Sequence, residues 1–184
     1  TDPTLGASVV NAATIGSTRA ATSDSARLLQ DVPGVSLYGA GGVSSLPAIH
    51  GLADDRLRIQ VDGMDLMAAC PNHMNSVLSY IDPTKVGSVK VFAGITPVSV
   101  GGDSIGGSIQ VKSADPVFAK VDEIAYAIGS VGAFYRSNGK AHGYNVGAIF
   151  IGQNLNLNYT ESHATADNYT AATGFKAAGT GQTG

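Results

Sequence analysis

The feature that most constrains this chain is the strict alternation of its C-terminal third. In YNVGAIFIGQNLNLNYTES, Leu155, Leu157 and Tyr159 alternate with Asn154, Asn156 and Asn158. Successive side chains of a β-strand point to opposite faces, so this pattern sets an apolar face against a polar one. IAYAIGSVGAFYRS, after Pro116, is a second long alternating segment. Strands of about ten residues built this way suit a transmembrane β-barrel, although a soluble sandwich produces the same alternation. The pattern then runs out in ATGFKAAGTGQTG with neither closing strand nor cap. Strands left unpaired are a liability, so this end reads as a cut through a larger sheet.

Upstream of Pro116 the chain reads as a compact α+β unit. Hydrophobic residues make up 43% of the 184 residues, enough for a core. Charged residues are only 14%, with 24 glycines and no tryptophan, which favours strands and tight turns over a helical bundle. Residues 1–22 are small and polar and read as a mobile arm, with one strand expected at Ala7–Val10. In SDSARLLQDVPGV, Ser23 is expected to cap a helix over Asp24–Gln30 that Pro33-Gly34 stops. VSLY (35–38) reads as a strand and GAGG as a turn. RLRIQVDG places Leu57, Ile59 and Val61 on one face of a strand and Arg56, Arg58 and Gln60 on the other. Asp62-Gly63 is a tight-turn signal, after which Met64 is expected to open a loop. A short helix is expected from about Pro71 to Tyr80, then strands in VGSVKVFAG and at Ser108–Lys112. Residues 23–113 thus hold roughly four strands and two short helices.

Several function classes drop out. A net charge of -3 provides no basic footprint for nucleic acid. No apolar run approaches the roughly 20 residues of a membrane helix. The chain starts at Thr1 with no visible signal peptide, which reads as a mature form or an excised piece. GGDSIGGS lacks the Gly-Lys-Ser/Thr ending of a phosphate loop. Asp54, Asp55, Arg56, Arg58 and Asp62 read as a solvated or interfacial charge network, and no serine, histidine and acid spacing favours catalysis. No enzyme is expected.

The chain's sulfur is concentrated in one place. Cys70 is the single cysteine, and Met64, Met67 and Met74 are all the methionines. His73 completes CPNHM. A lone cysteine makes no internal disulfide. Thiolate and thioether are soft donors that prefer Cu(I), whereas a thioether is a poor zinc ligand. On a helix opened by Pro71, Cys70 and Met74 would share a face with His73 close by, and the helix N-terminus would favour the thiolate. The competing readings are Cys70 as a small buried hydrophobe, Met74 as core filler, His73 as a solvated histidine, and Met64 and Met67 as loop packing.

Three segments in order, SARLLQDVPGV, LPAIHGLADDRLRIQVDGM and YIDPTKVGSVKVFAGITPVSVGGDSIGGSIQVKS, resemble the plug domain of TonB-dependent outer-membrane receptors over about Ser25–Ser113. The alternating segments then resemble the first strands of the barrel that encloses such a plug. The resemblance implies an arm at 1–22, a plug at 23–116 with a small mixed β-sheet and short helices, and truncated barrel strands at 117–184. AACPNHMNSVLSYIDP is similar to the copper-uptake branch, the OprC and NosA type. In that branch a plug Cys-x-x-x-Met supplies metal ligands, matched here by Cys70 and Met74, and a barrel His-x-Met completes the site. No His-x-Met occurs here, since His142 and His163 are followed by Gly-Tyr and Ala-Thr. The resemblance further implies the outer membrane of a Gram-negative cell, copper as Cu(I), the TonB energy-transducing complex and membrane lipid as partners. Two departures stand out: His50 replaces the arginine usual before that glycine, and no TonB box can be assigned, Thr4–Val10 being the nearest candidate. The alternatives are a receptor for an iron chelate with Cys70 merely structural, and a free-standing soluble metal-binding domain.

Overall fold

The computed structural model describes residues 7–19, 22–40, 44–69, 75–94, 96–100 and 104–167. Its centre is a five-stranded mixed sheet in the order β1-β7-β8-β5-β6. The strands are β1 (Ala7–Val10), β5 (Leu57–Val61), β6 (Met64–Asp65), β7 (Val86–Phe92) and β8 (Gly107–Ser113). β5 and β8 run parallel, and the other neighbours are antiparallel. A second sheet joins β2 (Val35–Ala40), β3 (Ser44–Ile49) and β4 (Leu52–Ala53). The alternation read from the sequence decides which side chains face inward. Ile59, Val89, Val91, Ile109 and Val111 form the sheet's part of one buried cluster, covered by Leu28, Leu29, Ile49 and Leu78.

Asp62 and Gly63 make the expected tight turn, both in the left-handed region (φ 49° and 82°). The Asp62 carboxylate also closes the parallel pair. It accepts the Ser113 N–H at 2.8 Å and the Ser113 hydroxyl at 2.7 Å. The backbone bond and then the hydroxyl bond from Ser113 hold this carboxyl below its usual range. Gly107 is required by close approach: at φ +133°, a Cβ there would lie 2.3 Å from the Phe92 carbonyl oxygen.

Several expectations are corrected. Ala7–Val10 forms its strand, but it is paired to β7 in the sheet rather than lying in a loose arm. It is followed by an unexpected helix, α1 (Ala12–Arg19), whose first turn is capped by the Asn11 side chain accepting the Thr14 N–H at 2.9 Å. The helix expected over Asp24–Gln30 is a 3₁₀ helix at Ser25–Leu29, and its cap is Asp24, not Ser23. The buried Asp24 carboxylate accepts the Ala26 N–H at 3.1 Å. Burial of Ser25, Ala26, Leu28 and Leu29 on more than one side favours this tighter turn over a one-faced α-helix. Met64 does not open a loop: it forms β6 with Asp65 opposite β5. The helix expected over 71–80 is not continuous, because Asn75 and Ser76 are not helical; residues 71–74 lie outside the described residues, and among those described Val77–Tyr80 makes a 3₁₀ turn. There the Ser76 N–H reaches the Ser44 hydroxyl at 3.2 Å, while Val77 and Leu78 sink into the core. The described residues of 23–113 therefore carry more strands than expected, and their helical turns are 3₁₀.

Beyond the central sheet, β9 (Tyr126–Arg136), β10 (Ala141–Ile151) and β11 (Asn156–Thr165) form an antiparallel meander. The long segment 144–162 is two strands, broken at Gly152–Leu155, where the Gly152 N–H meets the Leu155 carbonyl at 2.8 Å. One face carries Tyr144, Val146, Ala148, Phe150, Leu157 and Tyr159, with Glu161 and His163 toward one end, and the other mixes Ile149 and Ile151 with Asn145, Asn158, Thr160 and Ser162. The second face meets the N-terminal unit, for the Ser162 hydroxyl donates to Asp82 at 2.6 Å. No helix among the described residues is long and apolar enough to cross a membrane.

Candidate functional site

The sulfur-rich segment leaves the central sheet at β6. Pairing with β5 continues past it, since the Leu66 N–H donates to the Ile59 carbonyl at 3.0 Å. Leu66 and Ala68 pack against the core, and Met67 points away from it. Met64 and Met67 are 62% and 82% exposed, so neither thioether fills the interior. Met67 stands at the edge of a cavity of about 560 Å³, walled by Leu46, Leu57, Ile59 and Val77 and rimmed by Asp54, Asp55 and Asp65.

Cys70, His73 and Met74 lie outside the described residues, and so does the helical face expected to join them. The frame on either side is defined. The Ala69 N–H donates to the Tyr80 hydroxyl at 2.8 Å, and the Ser76 N–H to the Ser44 hydroxyl at 3.2 Å. The residues flanking 70–75 are thus tied down, Ala69 to the 3₁₀ turn and Ser76 to β3. Sequence reasoning missed Tyr80 and Ser44. Their partners lie 11 and 32 residues away, where no local pattern signals them.

The charged rim is paired internally. Arg58 grips Asp65 through Nε at 2.6 Å and Nη2 at 2.7 Å, and this two-pronged bond holds the Asp65 carboxyl below its usual range. Among the described residues, no three His, Cys, Asp or Glu side chains converge in a way that could hold a metal ion. His50, with φ 49°, lies against Gly34 and donates its N–H to the Gly34 carbonyl at 2.9 Å, which is a structural role. Asp82 joins the N-terminal unit to the meander. Burial raises its pKa, but the Ser162 hydroxyl and both Thr84 donors outweigh burial and leave the carboxyl below its usual range.

The profile of the TonB-dependent Receptor Plug Domain matches residues 2–108. Among solved structures, the copper transporter OprC is 25% identical, with a TM-score of 0.69 over 88% of this chain and 24% of that one. The FrpB iron transporter from Neisseria meningitidis (F5-1 variant, apoprotein form) is 19% identical, with a TM-score of 0.70 over 94% of this chain and 26% of that one. The hemophore receptor HasR of Serratia marcescens, in complex with HasA and heme, is 16% identical, with a TM-score of 0.68 over 89% and 25%. The last two likenesses speak to the fold alone. No curated protein matches the chain. The chain spans about a quarter of the length of each of these structures.

Proposed function

The chain belongs to the TonB-dependent receptor plug domain family, and from that premise we propose that it is the plug and first wall strands of an outer-membrane receptor that carries copper, as Cu(I), into the periplasm. The observation that carries the copper reading is the gathering of the single cysteine and every methionine into residues 64–74. Cys70 and Met74 are the metal ligands on the plug. Met64 and Met67, exposed on the approach, offer soft contacts along the way in, and His73 is a further possible donor. Remaining ligands come from the wall of the complete receptor. The likeness to a copper transporter supports this cargo.

The boundary between a plug at 23–116 and wall strands at 117–184 belongs to the same reading, with 1–22 the N-terminal arm that lends β1 to the plug sheet and the outward face of the meander against lipid. The protein sits in the Gram-negative outer membrane, works with the TonB complex, and is not an enzyme. Titration of Cu(I) against a chromophoric chelator, anaerobically and under reduction, tests the cargo. One-to-one binding, weakened in both Cys70→Ser and Met74→Leu, is expected. Binding that is absent, or unchanged in both variants, removes the copper reading.

A second reading has its own support, because the structures that share this fold include an iron transporter and a heme-complexed receptor. Here the cargo is an iron chelate and Cys70 is structural. Chelate binding indifferent to Cys70→Ser, with no Cu(I) binding, would establish it.

A further inference from the structure

Residues 114–125 join β8 of the plug sheet to β9 of the meander without regular structure, yet they are not slack. The Val117 carbonyl accepts from the Asn156 carboxamide at 2.6 Å. The Ala119 N–H donates to the Gly152 carbonyl at 3.1 Å. The Val121 carbonyl accepts from the Gln153 carboxamide at 2.7 Å, and the same group reaches the Glu123 carbonyl at 3.4 Å. Ala119 is 8% exposed, covered in an otherwise open stretch. All of the partners lie at the β10–β11 turn. The connector also braces itself, with the Lys120 N–H donating to the Glu123 carboxylate at 3.1 Å and the Glu123 N–H to the Lys120 carbonyl at 3.0 Å.

The plug side is fixed as well. Ser113, the last residue of β8, is held by both carboxylate oxygens of Asp62. Only residues 114–116 lie between the two anchorages. Pro116 fixes its own backbone and holds Asp115 extended. An extended chain spans about 3.3–3.6 Å per residue, so Ser113 and Val117 cannot part by more than about 14 Å.

We propose that residues 117–123 are a strap that pins the C-terminal end of the plug to the wall and holds while the rest of the plug is displaced. Displacement then starts away from the strap, at the Asp82–Ser162 contact and at the short edge strand β1, and stops at the strap. The proposal rests on the meander being receptor wall and is independent of the cargo.

Single-molecule pulling from the N-terminus of the complete receptor in a lipid bilayer tests it. Plug release is expected to end with residue 116, followed by a separate step as 117–125 peels away. That step should release about 30 Å of contour length. In a receptor carrying Gln153→Ala with Asn156→Ala, the separate step should merge with plug release, while the earlier events keep their lengths. Wild-type traces in which 117–125 comes away together with the plug would overturn the proposal, as would a step that survives unchanged in the double variant.

Discussion

Tyr80→Phe offers a direct test of whether the plug frame organises the sulfur-rich segment. The substitution keeps the ring and removes only the hydroxyl that accepts the Ala69 N–H at 2.8 Å. A neutral hydrogen bond is worth about 0.5–1.5 kcal/mol net. Ala69 is exposed, so water can replace the lost acceptor, and the cost should fall toward the lower part of that range. Since about 1.4 kcal/mol is a tenfold change in affinity, Cu(I) binding should weaken about two- to fivefold. The loss arises because the entry to CPNHM is no longer held, so binding must supply that ordering itself. Chelator competition reads the affinity, and thermal unfolding in detergent checks that the plug is intact. Stoichiometry should stay at one-to-one. A Tyr80→Phe protein that binds Cu(I) as tightly as wild type, while Cys70→Ser and Met74→Leu bind weakly, would refute the argument that the Ala69 pin shapes the site.

Two further outcomes follow from the geometry. Gly107→Ala should destabilise the plug by about 3 kcal/mol or more, because it adds backbone strain to a clash that forces β8 away from β7 at the Phe92 carbonyl; a denaturant midpoint near that of wild type would contradict it. Asp82 should make the contact between plug and meander acid-sensitive. Its folded pKa lies below the ordinary 3.8, so its contribution is complete above that value and is lost as pH falls through the lower, folded one. Proteolysis of the plug between pH 2 and 6 should show this loss in wild type and not in Asp82→Asn, and identical profiles would argue against it.

The strands were readable where one face is buried and the other is not. Leu57, Ile59 and Val61 alternate with Arg58 and Gln60, and β5 forms with that facing. The three long strands were readable from the alternation of residue types alone, although both of their faces are largely open and the break at Gly152 divides what looks like one run. The 3₁₀ turns were not, because their form depends on burial from several directions at once. Ser23 and Asp24 are both good caps, and the choice between them falls to the one whose carboxylate is buried over the Ala26 N–H. α1 escaped because AATIGSTR carries no apolar stripe, and its signal is the single cap at Asn11.

The candidate site divides along the same line. Its chemistry was legible, since soft donors identify themselves by residue type wherever they sit. Its geometry depends on where the sheet ends. β6 pairs with β5 at Met64 and Asp65, yet the period of two persists through Leu66, Met67 and Ala68. Leu66 and Ala68 are drawn against the core, and that leaves Met67 no direction but outward, beside the cavity. An exposed methionine costs the fold the burial it would otherwise contribute, so its position is not explained by packing. The Asp62-Gly63 turn therefore ties two things together: its Asp62 holds the end of β8, whose Ile109 and Val111 lie beside Ile59 and Val61, and its hairpin register presents a thioether to solvent just ahead of Cys70. Moving the register by one residue would bury Met67 and expose Leu66 and Ala68, so the core and the approach to the site are fixed by the same turn.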